Sequence, residues 1–179
     1  MFRAHCSSCT PGHFVNGSFE DEVEVGNRTF GWQIPSDVSG VTLSVDDAEH
    51  ADRARSLRLD FQGNTNPQTV LLSQIVTVDR GTRYRISFHA MTRSFVSAAS
   101  PVVRVIDASD EKLAVLGEAI VSANASRWQN YAVDFTTGQN TQAVRIIVGR
   151  TNCPNNSCAA FGTVWFDSFS LDHVSEPQR

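Results

Sequence analysis

The chain has 179 residues, of which 41% are hydrophobic and 19% charged, and its net charge is −4. This length and balance fit one ordered domain that buries roughly 70% of its unfolded surface, and they exclude a disordered chain. The mild acidity argues against nucleic acid as a partner, and no apolar run reaches the ~20 residues of a membrane-spanning helix.

Residues 1–13 read as an N-terminal arm, 14–173 as a single β-sandwich domain and 174–179 as a flexible tail. The arm lacks the apolar core of a signal peptide, so the chain is either cytoplasmic or the mature part of a longer precursor. Phe14–Phe19 opens the domain, and Trp32–Pro35 follows an acidic turn around Glu20–Glu24. Val41–Val45 alternates apolar and polar residues, as a half-buried strand does. The charged loop Asp46–Arg55 comes next, its Asp46-Asp47 pair reading as a solvated turn. In Ser56–Phe61 the side chains of Leu57, Leu59 and Phe61 face one way, with Arg58 and Asp60 opposite. Gly63–Pro67 is a loop, Val70–Val78 a strand region, and Asp79–Thr82 the turn that closes it.

Tyr84–Met91 carries the clearest period of two. Tyr84, Ile86, Phe88 and Ala90 face the core, while Arg85, Ser87, His89 and Met91 face away. Val102–Ile106 is strand-like, Lys112–Val121 reads as a strand or a short helical turn, and Trp128–Phe135 and Val144–Val148 are further strands. The last run, Gly162–Leu171, carries bulk on both faces, as a strand covered on both sides does. Asp167 sits in its middle between Trp165, Phe166 and Phe169. A carboxylate in that setting needs amides, a basic group or a hard cation. Asn16–Glu20 sets a second acid, Glu20, directly after the apolar Phe19, and the two stretches are read as lying close together. Nine or ten short runs with hardly a helical pattern among them describe an all-β jelly-roll sandwich of two antiparallel sheets.

Four cysteines form two pairs, Cys6-x2-Cys9 and Cys153-x4-Cys158. Two disulfides and an oxidising compartment are the plainer reading; a four-thiolate zinc is the other. The cysteine pairing stays open, since four cysteines allow three connectivities. The five histidines, His5, His13, His50, His89 and His173, fall in no catalytic spacing, so a non-catalytic module is expected. Lys112 stands alone against fourteen arginines, which fits a high-GC bacterial source.

Asn16–Glu20 (N-G-S-F-E) and Gly31-Trp32 resemble the opening of carbohydrate-binding modules of the family 4/9/22 type. So do Gln74-x-Val76-x-Val78, Gly81-x-x-Tyr84-x-Ile86-x-Phe88-x-Ala90, Trp128-x-x-Tyr131-x-Val133-x-Phe135 and Val164–Leu171, in the order expected. The resemblance implies a galactose-binding-like jelly roll that recognises a glycan through a concave face or a loop site. It also implies a structural calcium ion with Glu20 and Asp167 as ligands, although Ser168 stands where such modules often carry a second acid.

Sugar-binding candidates are Trp32, Phe95 in the irregular, exposed stretch Thr92–Ser100 and Phe161 beside the cysteine loop for stacking, with Arg85, His89 and Arg104 for hydroxyl contacts. Trp32 serves equally as a core plug. The alternative function is a protein-interaction or adhesion domain beside a larger exported bacterial protein, secreted, periplasmic or on the cell surface; a small enzyme built on the same jelly roll is the third reading.

Overall fold

Alternation in Arg83–Val96 makes one face of that segment apolar, and the structure buries Tyr84, Ile86, Phe88 and Ala90 completely. The computed structural model describes residues 12–23, 31–36, 38–109, 114–153 and 158–174. Cys6, Cys9, Lys112, nearly all of the expected arm and residues 175–179 lie outside the described residues.

Nine strands follow in order: β1 (Val41–Asp46), β2 (Ser56–Thr65), β3 (Leu72–Thr77), β4 (Arg83–Val96), β5 (Pro101–Asp107), β6 (Val115–Ile120), β7 (Gln129–Thr136), β8 (Ala143–Arg150) and β9 (Cys158–His173). One sheet has the order β1-β2-β9-β4-β7 and the other β3-β8-β5-β6. Every strand pairing is antiparallel, and no described residue is helical. The all-β sandwich of two sheets is therefore as the sequence implies. Of the two readings left open for Lys112–Val121, its described part is a strand.

The closing strand is the longest among the described residues, and both of its faces are covered. Phe166, Phe169 and Leu171 join the core between the sheets. Ser168 adopts a left-handed φ of 55°, which re-aims the chain so that Phe166 and Phe169 both face inward. Trp165 stays on the outer side and is nevertheless only 1% exposed.

Phe14–Phe19 is a pair of tight turns instead of a strand, with Asn16 and Phe19 both at φ 53°. These turns drive Phe19 into a ring cluster with Phe14, Trp32 and Phe169. Gln74 pins the same segment from inside: its amide group accepts from Val15 N–H at 2.7 Å and donates to Val15 C=O at 2.9 Å, as a neighbouring strand would. Trp32 donates its indole N–H to the Asn16 carbonyl at 2.9 Å and is 4% exposed. Of its two possible roles it fills that of core plug, and no sugar ring can stack on it.

At one end of the sandwich Arg150 is buried between the sheets. Its guanidinium donates to Ser97 Oγ, Thr65 C=O and Cys158 C=O and lies 5.7 Å from the Phe61 ring. Burial pushes its pKa down, and the three oxygens hold the charge in place. Cys158 is bonded to Cys153, so this arginine and that disulfide clasp the same corner.

The opening and closing segments meet where the Phe169 N–H donates to Gly17 C=O at 2.9 Å. A Cβ on Gly17 would stand 2.4 Å from the Phe169 carbonyl oxygen. Gly17→Ala should therefore lower stability by about 1–3 kcal/mol through forced separation of the two segments. Urea unfolding measures this, and an unchanged midpoint would contradict the packing described.

Candidate functional site

The outer face of the five-stranded sheet carries the alternate residues of β9, Phe161, Thr163, Trp165 and Asp167. Asp167 is fully buried there. Its Oδ2 accepts the amides of Ala51 and Asp52 at 2.8 and 3.0 Å, and its Oδ1 accepts the Ser168 amide at 2.6 Å. Glu20, from the opening segment, reaches the same loop: its Oε1 accepts the Ala54 and Arg55 amides, both at 3.2 Å. Two acids from opposite ends of the chain thus hold the β1–β2 loop down on the sheet.

That loop closes over Trp165. Arg58 and Arg93 place their guanidinium carbons 5.5 and 4.9 Å from the Trp165 ring, where a cation is attracted to the π face. The indole N–H donates to Asp46 Oδ2 at 2.8 Å, Arg93 pairs with Glu49, and Arg58 pairs with Asp60 and Asp46. Asp46 is therefore no solvated turn residue; its side chain is 8% exposed. Burial alone would raise its pKa, but the bonds from Trp165, Ala48 and Glu49 and the charge of Arg58 hold it below the usual value. Met91 faces outward as alternation requires, yet it is buried beside Trp165, its cross-strand neighbour.

The sugar-contact candidates do not come together. Phe95 was expected on an exposed irregular stretch, but β4 runs on to Val96 and turns Phe95 inward against Phe61, 5.4 Å between ring centroids. Phe161 is 53% exposed on the five-stranded sheet beside Val96, its cross-strand neighbour. Arg85, on that same outer face, is paired with Asp134 by two bonds at 2.7 and 2.8 Å. His89 is half-buried between Asn130 and Asp167, its cross-strand neighbours, and its Nδ1 finds no hydrogen-bond partner. A depression of about 520 Å³ is lined by Arg93, Ser94, Val96 and Asn124 among others, and none of Arg85, His89 and Phe161 lines it. Arg104 lies on the opposite side of the molecule, on the four-stranded sheet.

The outer face of that second sheet was not assembled from the sequence. Leu72, Val76, Val103, Val105, Val144, Ile146 and Val148 point into the core, so the residues between them point out. Strand register sets two rows there. One runs Ser73, Ile147, Arg104, Glu118, and the next Ile75, Arg145, Ile106, Val115. Arg104 is held by Glu118 Oε2 at 3.0 Å and by the Arg150 carbonyl at 3.3 Å. Arg145 donates through Nε and Nη2 to Ser73 Oγ at 3.2 and 3.0 Å. Ile75, Val115 and Ile120 stay exposed around these groups. Alternation alone marks Ser73 and Arg145 as outward; which strands lie side by side is the information that a single sequence lacks.

Burial pushes the Asp167 carboxyl above its ordinary 3.8, and the amide bonds offset part of that rise. The folded state thus holds this proton more tightly than the unfolded chain does. Its contribution to stability is complete below about pH 3.8 and is lost as pH rises through the folded value. Measured in EDTA, the stability of the parent chain relative to Asp167→Asn should fall between about pH 4 and neutrality. An advantage that grows with pH would show that the amide bonds outweigh burial.

Solved structures share this architecture. One described as "CBM4 structure and function" is 17% identical with a TM-score of 0.63, over 90% of this chain and 100% of that one. The CBM22-1 xylan-binding domain of Paenibacillus barcinonensis Xyn10C is 16% identical with a TM-score of 0.62, over 95% and 100%. TmCBM61, solved with β-1,4-galactotriose, is 16% identical with a TM-score of 0.61, over 92% and 100%. No curated protein matches the sequence. At these identities the likeness establishes the fold. A family model described as a carbohydrate binding domain matches residues 12–155, well over half of the chain, and the chain therefore belongs to that family of carbohydrate-binding modules.

Proposed function

We propose that this module binds its glycan on the outer face of the four-stranded sheet. One observation carries the choice: there, two guanidinium groups are fixed across adjacent strands between exposed aliphatic side chains. On the other sheet the tryptophan lies under its own loop and Arg58, Arg85 and Arg93 are all tied to acids, whereas here only Arg104 is, and Arg145 is held by a neutral hydroxyl. Planar polar groups whose rotamers are already held lose little freedom on meeting sugar hydroxyls, and aliphatic side chains suit the C–H faces of the rings. The described residues of this face bring no aromatic platform. Hydrogen bonds therefore carry more of the recognition than stacking does.

Arg104→Ala should weaken polysaccharide binding about tenfold or more, because it removes charge-assisted hydrogen bonds. Phe161→Ala, on the opposite face, should leave binding within about twofold, less than a lost hydrogen bond would produce. Affinity electrophoresis of both variants, with folding checked by melting temperature, measures the contrast. Loss of binding in Phe161→Ala alone would move the site to the five-stranded sheet.

We also propose that Glu20 and Asp167 hold a calcium ion. In support, the two carboxylates converge on one loop, and the hydroxyl of Ser168, next to Asp167, is buried without a partner. A hard cation takes such oxygens, and its positive charge favours the ionised form of the buried Asp167. The amides of residues 51, 52, 54 and 55 already serve these carboxylates, so an ion competes with them for the same oxygens. Saturating calcium should raise the melting temperature by several degrees over EDTA. Equal melting temperatures would mean that the amides alone satisfy the pair.

The Cys153–Cys158 bridge favours an oxidising compartment, and we place the module outside the cytoplasm on that ground. Thiol labelling of Cys153 in freshly lysed producing cells would overturn this.

A further inference from the structure

We infer that the glycan is acidic and that its anionic group is received by Arg145; this rests on the binding face proposed above. Among the described residues Arg58, Arg85, Arg93 and Arg104 each pair with a carboxylate. Arg145 does not. It is half-buried in the middle of β8, with Ile75 and Ile106 as cross-strand neighbours, and its only partner is the hydroxyl of Ser73, itself buried and neutral. Arg150 also lacks an acid but lies between the sheets, where no ligand reaches it, and Arg55, Arg80 and Arg127, likewise without an ion pair among the described residues, lie outside the strands of this face.

A guanidinium flanked by aliphatic side chains has lost part of its hydration, and a hydroxyl returns only a fraction of it. Ser73 takes Nε and one terminal nitrogen, which fixes the plane of the fork and leaves its remaining N–H groups to the open face. A carboxylate accepts such N–H groups with geometry and charge both matched. Around it, the titratable groups of β5 and β6 are Arg104 and Glu118, already paired with each other, and Asp107, which alternation turns to the other side of β5 and whose carboxylate accepts the Ser109 amide and the Thr141 hydroxyl. The face therefore presents one uncompensated positive charge. A neutral sugar would leave that charge unbalanced, whereas a uronate would cancel it.

The test compares polygalacturonate and alginate with neutral xylan and mixed-linkage glucan, and with a sulfated galactan to separate carboxylate from sulfate ester. Binding is measured at low and high sodium chloride for the parent chain, for Arg145→Gln and for Arg53→Gln. The last variant removes the same charge from the loop over the other sheet, where Arg53 is solvent-exposed. The expected result is on the order of tenfold preference for an acidic polysaccharide, weakened by salt, lost in Arg145→Gln and kept in Arg53→Gln. Preference for the sulfated polymer over both uronates would assign Arg145 to sulfate and overturn the uronate assignment. Equal binding of neutral polymers, or a preference that survives Arg145→Gln, would overturn the inference while leaving the binding face intact. Binding to none of them would remove the face and the inference together.

Discussion

The buried carboxylate of Asp167 sets the character of the whole molecule. It sits on the outer side of the central closing strand, where charge is costly, and it is satisfied by amides drawn from the β1–β2 loop. To supply those amides the loop must lie flat on the five-stranded sheet. Once there it covers Trp165 and brings Glu49 to Arg93, while Asp46 at its entrance meets Arg58. One electrostatic requirement thus commits the most aromatic part of that face to internal packing.

The other sheet meets no such requirement. Its outer face is built from alternate residues of β3, β8, β5 and β6, and its polar groups are few and held in place. Arg104 is linked through the Arg150 carbonyl to the corner that the Cys153–Cys158 disulfide also fastens. The proposed binding face is therefore braced by the same contacts that close the end of the sandwich. On the proposed face the recognising groups are the Arg145 fork between Ile75 and Ile106 and the Arg104 fork beside Ile147, which favour polar and charged ligand groups over stacked rings.

Much of the fold was legible because period-two alternation is a local property. Tyr84 to Ala90 and Leu57 to Phe61 announce their faces without reference to anything else, and both are buried as alternation requires. The proximity of the opening and closing segments was also readable, from the need of an acid on a two-sided strand. What failed was local context that only partners define. Phe95 looked like part of an irregular stretch until β4 proved to continue through it. Asp46 looked solvated because its loop is polar and short-sided, and nothing local to Met91 announced that its outward face is covered. The candidate site was the least legible part. Arg104 was singled out, but Arg145, Ser73 and Glu118 join it only through strand order, which no spacing in one sequence records.

The most direct measurement is a backbone amide chemical-shift titration with an oligosaccharide from whichever polysaccharide binds. The account predicts that the perturbed amides cluster on β3, β8, β5 and β6 around Ser73, Arg104, Glu118 and Arg145, while residues 47–55 and β9 stay unmoved. Perturbations centred on Phe161, Trp165 and the β1–β2 loop would contradict it, because they would mean that the loop opens and that the five-stranded sheet is the working face.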